Sequence, residues 1–344
     1  MFEETETVRS GYQKKIIKID HMIYDSLYQR GISEQNILFL SVKPQRDGTK
    51  VWDFTELLIK IPDKQSALQL ENKIDGTLSR LKPDVKYILE RISLSESVFK
   101  VFTLGLYSHK IKLVWENHYK PDRDGLPRIA LIMDDLGHDP HMVAPFIHLD
   151  LPLAFSILPL APYSLSIANE VQNKGYELML HLPMEPNNYP RVNPGPGALL
   201  TGMNEKQIRK IVGNHLKRIP GVQGVNNHMG SYFSARKDKM AIVLRELKKR
   251  NLFYIDSRTT PRTVAHKLAQ KMGVPVASRS VFLDNSPTRK AIIFQMERLL
   301  GLARHSGTAI GIGHPHKETL TILNGYLKKF KSDVRVVPVS ELVG

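Results

Sequence analysis

The sequence predicts an α/β fold: a parallel sheet closed into a (β/α) barrel, or an incomplete version of one, preceded by a small α+β domain. Two observations carry the prediction. From Arg128 onward, short apolar runs rich in β-formers alternate with segments of helical spacing, and runs that are apolar throughout mark strands buried on both faces of a parallel sheet. Before that, ENHYKPDRDGLPR, with two prolines and a glycine, separates the alternation from a segment of different texture. The competing open doubly wound sheet is disfavoured, because no GxGxxG follows the first strand of the alternation and no GxxxxGK(S/T) occurs anywhere.

The expected limits are 1–115 for the small α+β domain, of unassigned role, 116–127 for the linker and 128–344 for the barrel. In the first domain, 12–29 has helical spacing, ILFLSVK and VWDFTELLIKI read as strands, KQSALQLENKIDGTLSRL reads as a helix, and VFKVFTLGLYSHKIKLVWE as a closing hairpin. It shows no convergent group of catalytic residue types. In the second, strands are expected at 128–133, 153–158, 176–180, 221–226, 252–255, 274–278, 308–313 and 334–339, with helical periodicity in most of the gaps.

Composition narrows the function. Hydrophobic residues at 42% and charged residues at 24% are ordinary for a globular protein, which excludes disordered, collagen-like and coiled-coil classes. No run approaches the ~18–20 apolar residues of a membrane span, and the start MFEETETVRS is acidic and polar, unlike a secretory signal. A soluble chain without a transmembrane segment is expected. With no cysteine, any metal must be held by His, Asp or Glu. The 49 basic and 34 acidic residues give a net charge of +15, concentrated in amphipathic segments such as RKDKMAIVLRELKKRN. These read as solvated helix faces; no nucleic-acid partner is expected, since no zinc-finger, RNA-recognition or basic-zipper signature accompanies the charge.

In a parallel α/β barrel the loops after the strands converge on one mouth, so catalytic groups gather at strand C-termini. The first expected strand runs into Asp134-Asp135, the third into His181 with Glu185 four residues on, the fourth into Asn227-His228, the fifth into Asp256 and the seventh into His314-Pro315-His316. Adjacent carboxylates after an apolar strand repel and desolvate at a cost unless a cation or proton relieves them, so a divalent metal is expected. With imidazoles from neighbouring strands the set becomes one carboxylate and two nitrogens, which suits zinc or another late first-row metal with an open position for water. Such a metal lowers the pKa of water from about 15.7 to about 7. Asp135 is then expected to ligate, Asp134 to act as general base, and His314 to protonate the leaving group or stabilise the oxyanion. Asp256 is expected to orient His314, and backbone amides near Met229, Gly230 and Ser231 to complete an oxyanion hole.

The run IMDDLG resembles the first motif of the polysaccharide deacetylases of carbohydrate esterase family four, in which the first aspartate is the general base and the second a metal ligand. Together HLPMEP, NNHMGS and GIGHPH, in that order, are more closely similar to the divergent branch of that superfamily, the divergent polysaccharide deacetylases. The resemblance covers 128–339 and does not reach the first domain. It implies the deformed (β/α) barrel of polysaccharide-deacetylase type, usually counted as seven strands, so that one of the eight expected here is peripheral. It also implies metal-dependent hydrolysis of an N- or O-acetyl group on a polysaccharide or oligosaccharide, in an extracytoplasmic setting that the polar start of the chain does not support.

Two departures from the family pattern stand out. The second motif, His-x-x-x-His with both histidines on the metal, appears here as His181 and Glu185. The lost imidazole is replaced either by Glu185 itself or by His228; His228 is favoured, because the following strand points it at the same mouth while Glu185 lies between prolines in PMEP. The third motif, normally an arginine with prolines, is replaced by NHMGS, so the usual partner of the general base is missing. His314 corresponds to the family's catalytic histidine, and His138 and His316 are expected in solvent or behind the site. In the Pro-, Gly- and Asn-rich loop 185–202, Tyr189 is expected to stack on a sugar and Arg191 to meet an anionic group, with Asn227 as a further substrate contact. The altered motifs motivate a rival reading, a catalytically weak or inactive carbohydrate-binding protein that retains the metal site; intact Asp134 and His314 argue against it.

Overall fold

The computed structural model describes residues 11–33, 36–48, 50–115 and 125–344. Most of the expected linker, 116–124, lies outside them. The described residues form two compact units, one holding those up to 125 together with 300–307, the other 126–299 and 308–344.

The first unit runs α1 (Gly11–Gln29), β1 (Ile37–Asp47), β2 (Lys50–Ile61), α2 (Lys64–Ser79), β3 (Val85–Ser93), β4 (Glu96–Thr103) and β5 (Leu106–Trp115). Its sheet has the order β1-β2-β5-β4-β3, antiparallel except for the parallel pair β2 and β5. The helices supply apolar stripes at helical spacing, Ile16, Ile19, Ile23 and Leu27 from α1 and Leu70, Ile74 and Leu78 from α2, all buried. Strand β3, VKYILERIS, is the element that the sequence reading did not single out; it is a sheet edge with most side chains in solvent, so its apolar alternation is weak.

The second unit alternates β6 (Arg128–Leu136), α3 (Pro140–Ile147), β7 (Ala154–Ile157), α4 (Ser164–Asn173), β8 (Glu177–Met184), α5 (Glu205–Arg218), β9 (Gly224–Met229), α6 (Lys237–Lys248), β10 (Phe253–Asp256) and α7 (Ala265–Met272). It continues with β11 (Val276–Ser278), β12 (Val281–Phe282), α8 (Arg289–Ser306, whose residues from 300 on belong to the first unit), β13 (Thr308–Gly313), α9 (Lys317–Asp333) and β14 (Arg335–Val336). The sheet order is β11-β10-β9-β8-β7-β6-β13-β12, every pairing is parallel, and β14 lies beside β6.

The two ends of that order are one stretch of chain. Arg279 N–H donates to the Asp256 carbonyl at 3.0 Å and Ser280 N–H to the Ile310 carbonyl at 2.8 Å, so the chain leaves β10 and joins β13 within two residues. A single bent strand thereby closes the sheet, and seven strand positions surround the core. The eighth expected strand is the peripheral one: β14 pairs only with Arg128 and Ile129 at the start of β6.

The side chains filling the barrel are Ala130, Ile132, Ala154, Met179, Phe253, Ile255, Ala277, Phe282, Ile310 and Ile312, with Val339 below. Their alternation along each strand fixes which neighbours face inward. The outer helices bury one stripe only. On α6 Met240, Ile242, Val243, Leu244 and Leu247 face the sheet while Lys237 and Lys248 face water, as expected of a solvated basic surface. Among the described residues no helix is long and apolar enough to cross a membrane.

Candidate active site

Strand parity places the first carboxylate. Ala130 and Ile132 of β6 face the barrel interior, so Asp134 does too, fully buried. Continued pleating would turn Asp135 away. Instead Asp135 has φ +59°, and the β6–β7 register shifts between Met133 and Leu136. This left-handed residue swings the second carboxylate back to the mouth; aspartate tolerates that region better than most side chains. The chain then turns at Gly137, where φ is +126° and a Cβ would lie 2.8 Å from the Ala161 Cβ. Asp139 caps α3 by accepting from the His141 N–H at 2.8 Å, with Pro140 at the first helical position.

On β8, His181 shares the inward face of Met179, and on β9, His228 shares that of Asn226. Asp135 Oδ1 lies 3.0 Å from His181 Nε2 and 2.8 Å from His228 Nδ1, and the two nitrogens are 3.2 Å apart. Asp135 Oδ1 is buried and accepts no well-directed hydrogen bond. Three ligand atoms this close repel through their lone pairs unless a proton or cation sits among them. One carboxylate and two imidazoles, converging from three strands, fit a zinc-type ion.

Asn226 ties this group to the general-base candidate. Its Nδ2 donates to Asp134 Oδ1 at 2.8 Å and Oδ2 at 3.0 Å, and its Oδ1 accepts from Ser156 Oγ at 2.6 Å and lies 2.7 Å from His181 Nδ1. An amide oxygen can only accept, so His181 carries its proton on Nδ1 and turns the Nε2 lone pair toward Asp135. A neutral amide thus holds both oxygens of Asp134.

His314, at the end of β13, lies on the other side. Its Nδ1 is 2.8 Å from Asp284 Oδ1, while Asp284 Oδ2 accepts from the His314 N–H at 2.6 Å and from Thr319 Oγ1 at 2.7 Å. Asp284 thus fixes the tautomer that puts Nε2 toward the ligand group, 4.0 Å from Asp135 Oδ2.

The carboxyls are tuned apart. Burial raises Asp134, and His181, His314 and Asn226 offset only part of that. Burial also acts to raise Asp135, but His228, His181 and His314 outweigh it and hold the carboxyl well below the usual range. Asp284 is likewise buried, and it is lowered by the charge and hydrogen bonds of His314 and by Thr319.

Two expected roles are corrected by strand parity. Phe253 and Ile255 of β10 face inward, so Asp256 faces outward; it accepts from the Arg258 N–H and from Thr263 Oγ1, each at 2.9 Å, and the carboxylate on His314 is Asp284. Asn227, between inward Asn226 and His228, also faces outward. Its amide is used by the Met229 carbonyl, the Tyr254 hydroxyl and the Ser257 N–H, which leaves no substrate contact to make. Glu185 accepts from the Thr201 N–H and so anchors loop 185–202 rather than joining the ligand atoms. On that loop Tyr189 and Arg191 are exposed, as is His138; His316 is half-buried, its ring 6.0 Å from that of His314. The sequence reading missed Asn226 and Asp284. Asp284 follows a strand of two residues, too short to read as one, and Asn226 is told from Asn227 only by the register of β9.

The second unit is a parallel (β/α) barrel of seven strand positions, and Asp135, His181 and His228 converge at its mouth. Residues 131–343 match the model of the divergent polysaccharide deacetylases, and the chain belongs to that family. It is 32% identical over 216 residues to the uncharacterized protein YibQ of Escherichia coli K12, a match spanning 63% of this chain and 67% of YibQ. It is 30% identical over 215 residues to an uncharacterized protein of Haemophilus influenzae, spanning 62% of this chain and 76% of the relative. Its structure is similar to that of an uncharacterized protein of Agrobacterium tumefaciens C58, with TM-score 0.61 and 25% identity over 66% of this chain and 92% of the other.

Proposed function

We propose that the protein is a metal-dependent hydrolase that removes acetyl groups from a carbohydrate. The observation that supports this best is the convergence of Asp135, His181 and His228 beside Asp134 and His314 in the barrel mouth. Asp135, His181 and His228 would hold the ion, zinc by the donor set, which supplies Lewis acidity to the acetyl carbonyl and to water.

The chain's own residues then divide the proton transfers. Asp134, buried and held at both oxygens by Asn226, takes a proton from the attacking water as its oxygen bonds to the carbonyl carbon. His314, doubly protonated and steadied by Asp284, gives its Nε2 proton to the sugar nitrogen or oxygen as the bond from it to the carbonyl carbon breaks. Acetic acid leaves and gives its remaining proton to the freed amine or to solvent, and the proton on Asp134 passes to His314 for the next turnover. Substrate is taken to be an acetylated polysaccharide or oligosaccharide.

Acetate release from a panel of acetylated oligosaccharides, with the protein loaded with zinc, cobalt, nickel or manganese, tests the proposal. Release that disappears in Asp134→Asn and His314→Ala supports it. No release with any of the four metals sinks it and leaves a carbohydrate-binding protein that retains the ligand group.

A further inference from the structure

Next to the first ligand group stands a second one of the same composition. Asp284, just after β12, and His314 and His316, just after β13, bring one carboxylate oxygen and two ring nitrogens within 4.8 Å of one another. The chain accounts for this convergence. Strands β12 and β13 pair in parallel with Phe282 opposite Ile312, so Asp284 and His314, each two residues further on, leave the sheet side by side. The His316 N–H donates to the His314 carbonyl at 2.7 Å across Pro315, a tight turn that sets the two rings 6.0 Å apart. Asp284 Oδ1 lies 2.8 Å from His314 Nδ1, and its other oxygen accepts from the His314 N–H and Thr319 Oγ1, so the carboxylate is fixed in place. Asp284 and His314 are buried, and His316 is half-buried with its Nε2 inside.

One carboxylate and two imidazoles suit zinc or another late first-row ion here as they do in the first group. Zinc holds its ligands at about 2.0–2.1 Å and so draws them closer together than 4.8 Å; a turn of the half-buried His316 ring closes the group. Two features make this site the weaker of the two. His316 is the N-cap of α9, so the positive end of that helix lies beside the ion. His314 Nε2 is also 4.0 Å from Asp135 Oδ2, so a second ion is repelled by one already held by Asp135, His181 and His228. Filling the site has a chemical consequence. An imidazole that gives a lone pair to a metal keeps at most one proton, whichever nitrogen ligates. The reaction scheme needs His314 protonated on both nitrogens, so an ion that sends one of those protons to solvent removes the proton donor.

We propose that Asp284, His314 and His316 form a second, weaker divalent-ion site, and that excess zinc switches hydrolysis off by filling it. The site stands on the geometry of the three side chains; the switching rests on the deacetylase reading. The test is a zinc titration of the full chain after stripping with a chelator, with bound ions counted by equilibrium dialysis and acetate release followed on the same samples. The parent is expected to bind two ions, the second roughly tenfold or more weakly than the first, because the two charges repel. Release should rise as the first ion binds and fall as the second does. His316→Ala is expected to bind one ion and to hold the parent's one-ion rate of release in excess zinc. If His316→Ala does not fold, His316→Gln, closer to the parent in size and polarity, carries the test, with thermal melting as the check on folding. A single ion in the parent, or a second ion held as tightly by the His316 variant, overturns the site. A second ion that is lost with His316 but leaves release in the parent undiminished overturns the switch. Absence of acetate release at every zinc concentration sinks the hydrolytic reading and the switch with it, while the ion count still decides the site.

Discussion

Asn226 grips both oxygens of Asp134, at 2.8 and 3.0 Å, with the same amide whose oxygen faces His181 Nδ1. One side chain therefore serves the general-base candidate and a ligand candidate together, and it does so without adding charge to a buried site. Asn226→Ala is expected to destabilise the fold by about 2 kcal/mol, because it leaves a buried carboxylate without its donor. Metal affinity should fall roughly 10- to 100-fold as His181 loses the acceptor that sets its tautomer. Thermal melting and competition with a metal chelator check the two effects; a variant that matches the parent in both would show that the bridge is incidental.

Asp284 steadies His314 through two hydrogen bonds, from the ring Nδ1 and from the backbone N–H, and is itself held by the Thr319 hydroxyl. Asp284→Asn keeps the shape and removes the charge that stabilises protonated His314, so turnover is expected to drop roughly 10- to 100-fold while metal content stays level. The alkaline limb of the rate profile should also move to lower pH, since His314, the proton donor of the scheme, then loses its proton at lower pH. Steady-state rates across pH, with elemental analysis alongside, decide between this positioning role and a purely structural one.

Elemental analysis also separates the ligand candidates. Asp135→Ala, His181→Ala and His228→Ala are each expected to purify with far less zinc than the parent, because each removes an atom of the converging group. Glu185→Ala should retain the metal, since that carboxylate is spent on Thr201. Metal lost from Glu185→Ala but kept by His228→Ala would reverse the assignment.

His215 of α5 pins the rim loop: its Nε2 donates to the Gly197 carbonyl at 2.8 Å, and the imidazole is buried. Burial holds its pKa below the ordinary histidine value of 6.5, only partly offset by the bond to Gly197. The unfolded chain therefore binds more protons than the folded one once pH falls below about 6.5. The associated stability is fully present above that value and is lost as pH falls toward the folded pKa. Hydrogen exchange of loop 185–202, taken relative to the intrinsic amide rate at each pH, should speed up between pH 7 and 5 in the parent and much less in His215→Gln, which keeps a donor without the titration. Equal acceleration in both would assign the effect elsewhere.

Gly230 follows His228 by two residues, at φ +83°, with the Met184 Cβ 2.7 Å from where its own Cβ would stand. Gly230→Ala combines backbone strain with overpacking and is expected to cost about 2–3 kcal/mol, read as a lowered Tm. A melting temperature equal to the parent's would mean that the strand end relaxes freely.

The amino-acid sequence carries the order of elements, the alternation that marks a parallel barrel, and most of the polar residues that gather at its mouth. Asp134, Asp135, His181, His228 and His314 are legible because each is a polar residue ending an apolar run, a pattern that a buried parallel sheet tolerates only at its strand ends. Orientation was legible only in the tertiary structure. Asn226 and Asn227 are the same residue type one position apart, and only the inward register of β9 decides that the first enters the site while the second is spent on Tyr254 and on the backbone of Met229 and Ser257. The same parity turns Asp256 outward, and only the bend of the closing strand from β10 to β13 brings Asp284 under His314. A one-residue difference in facing is invisible in composition and periodicity, because it is set by pairing between strands distant in the chain.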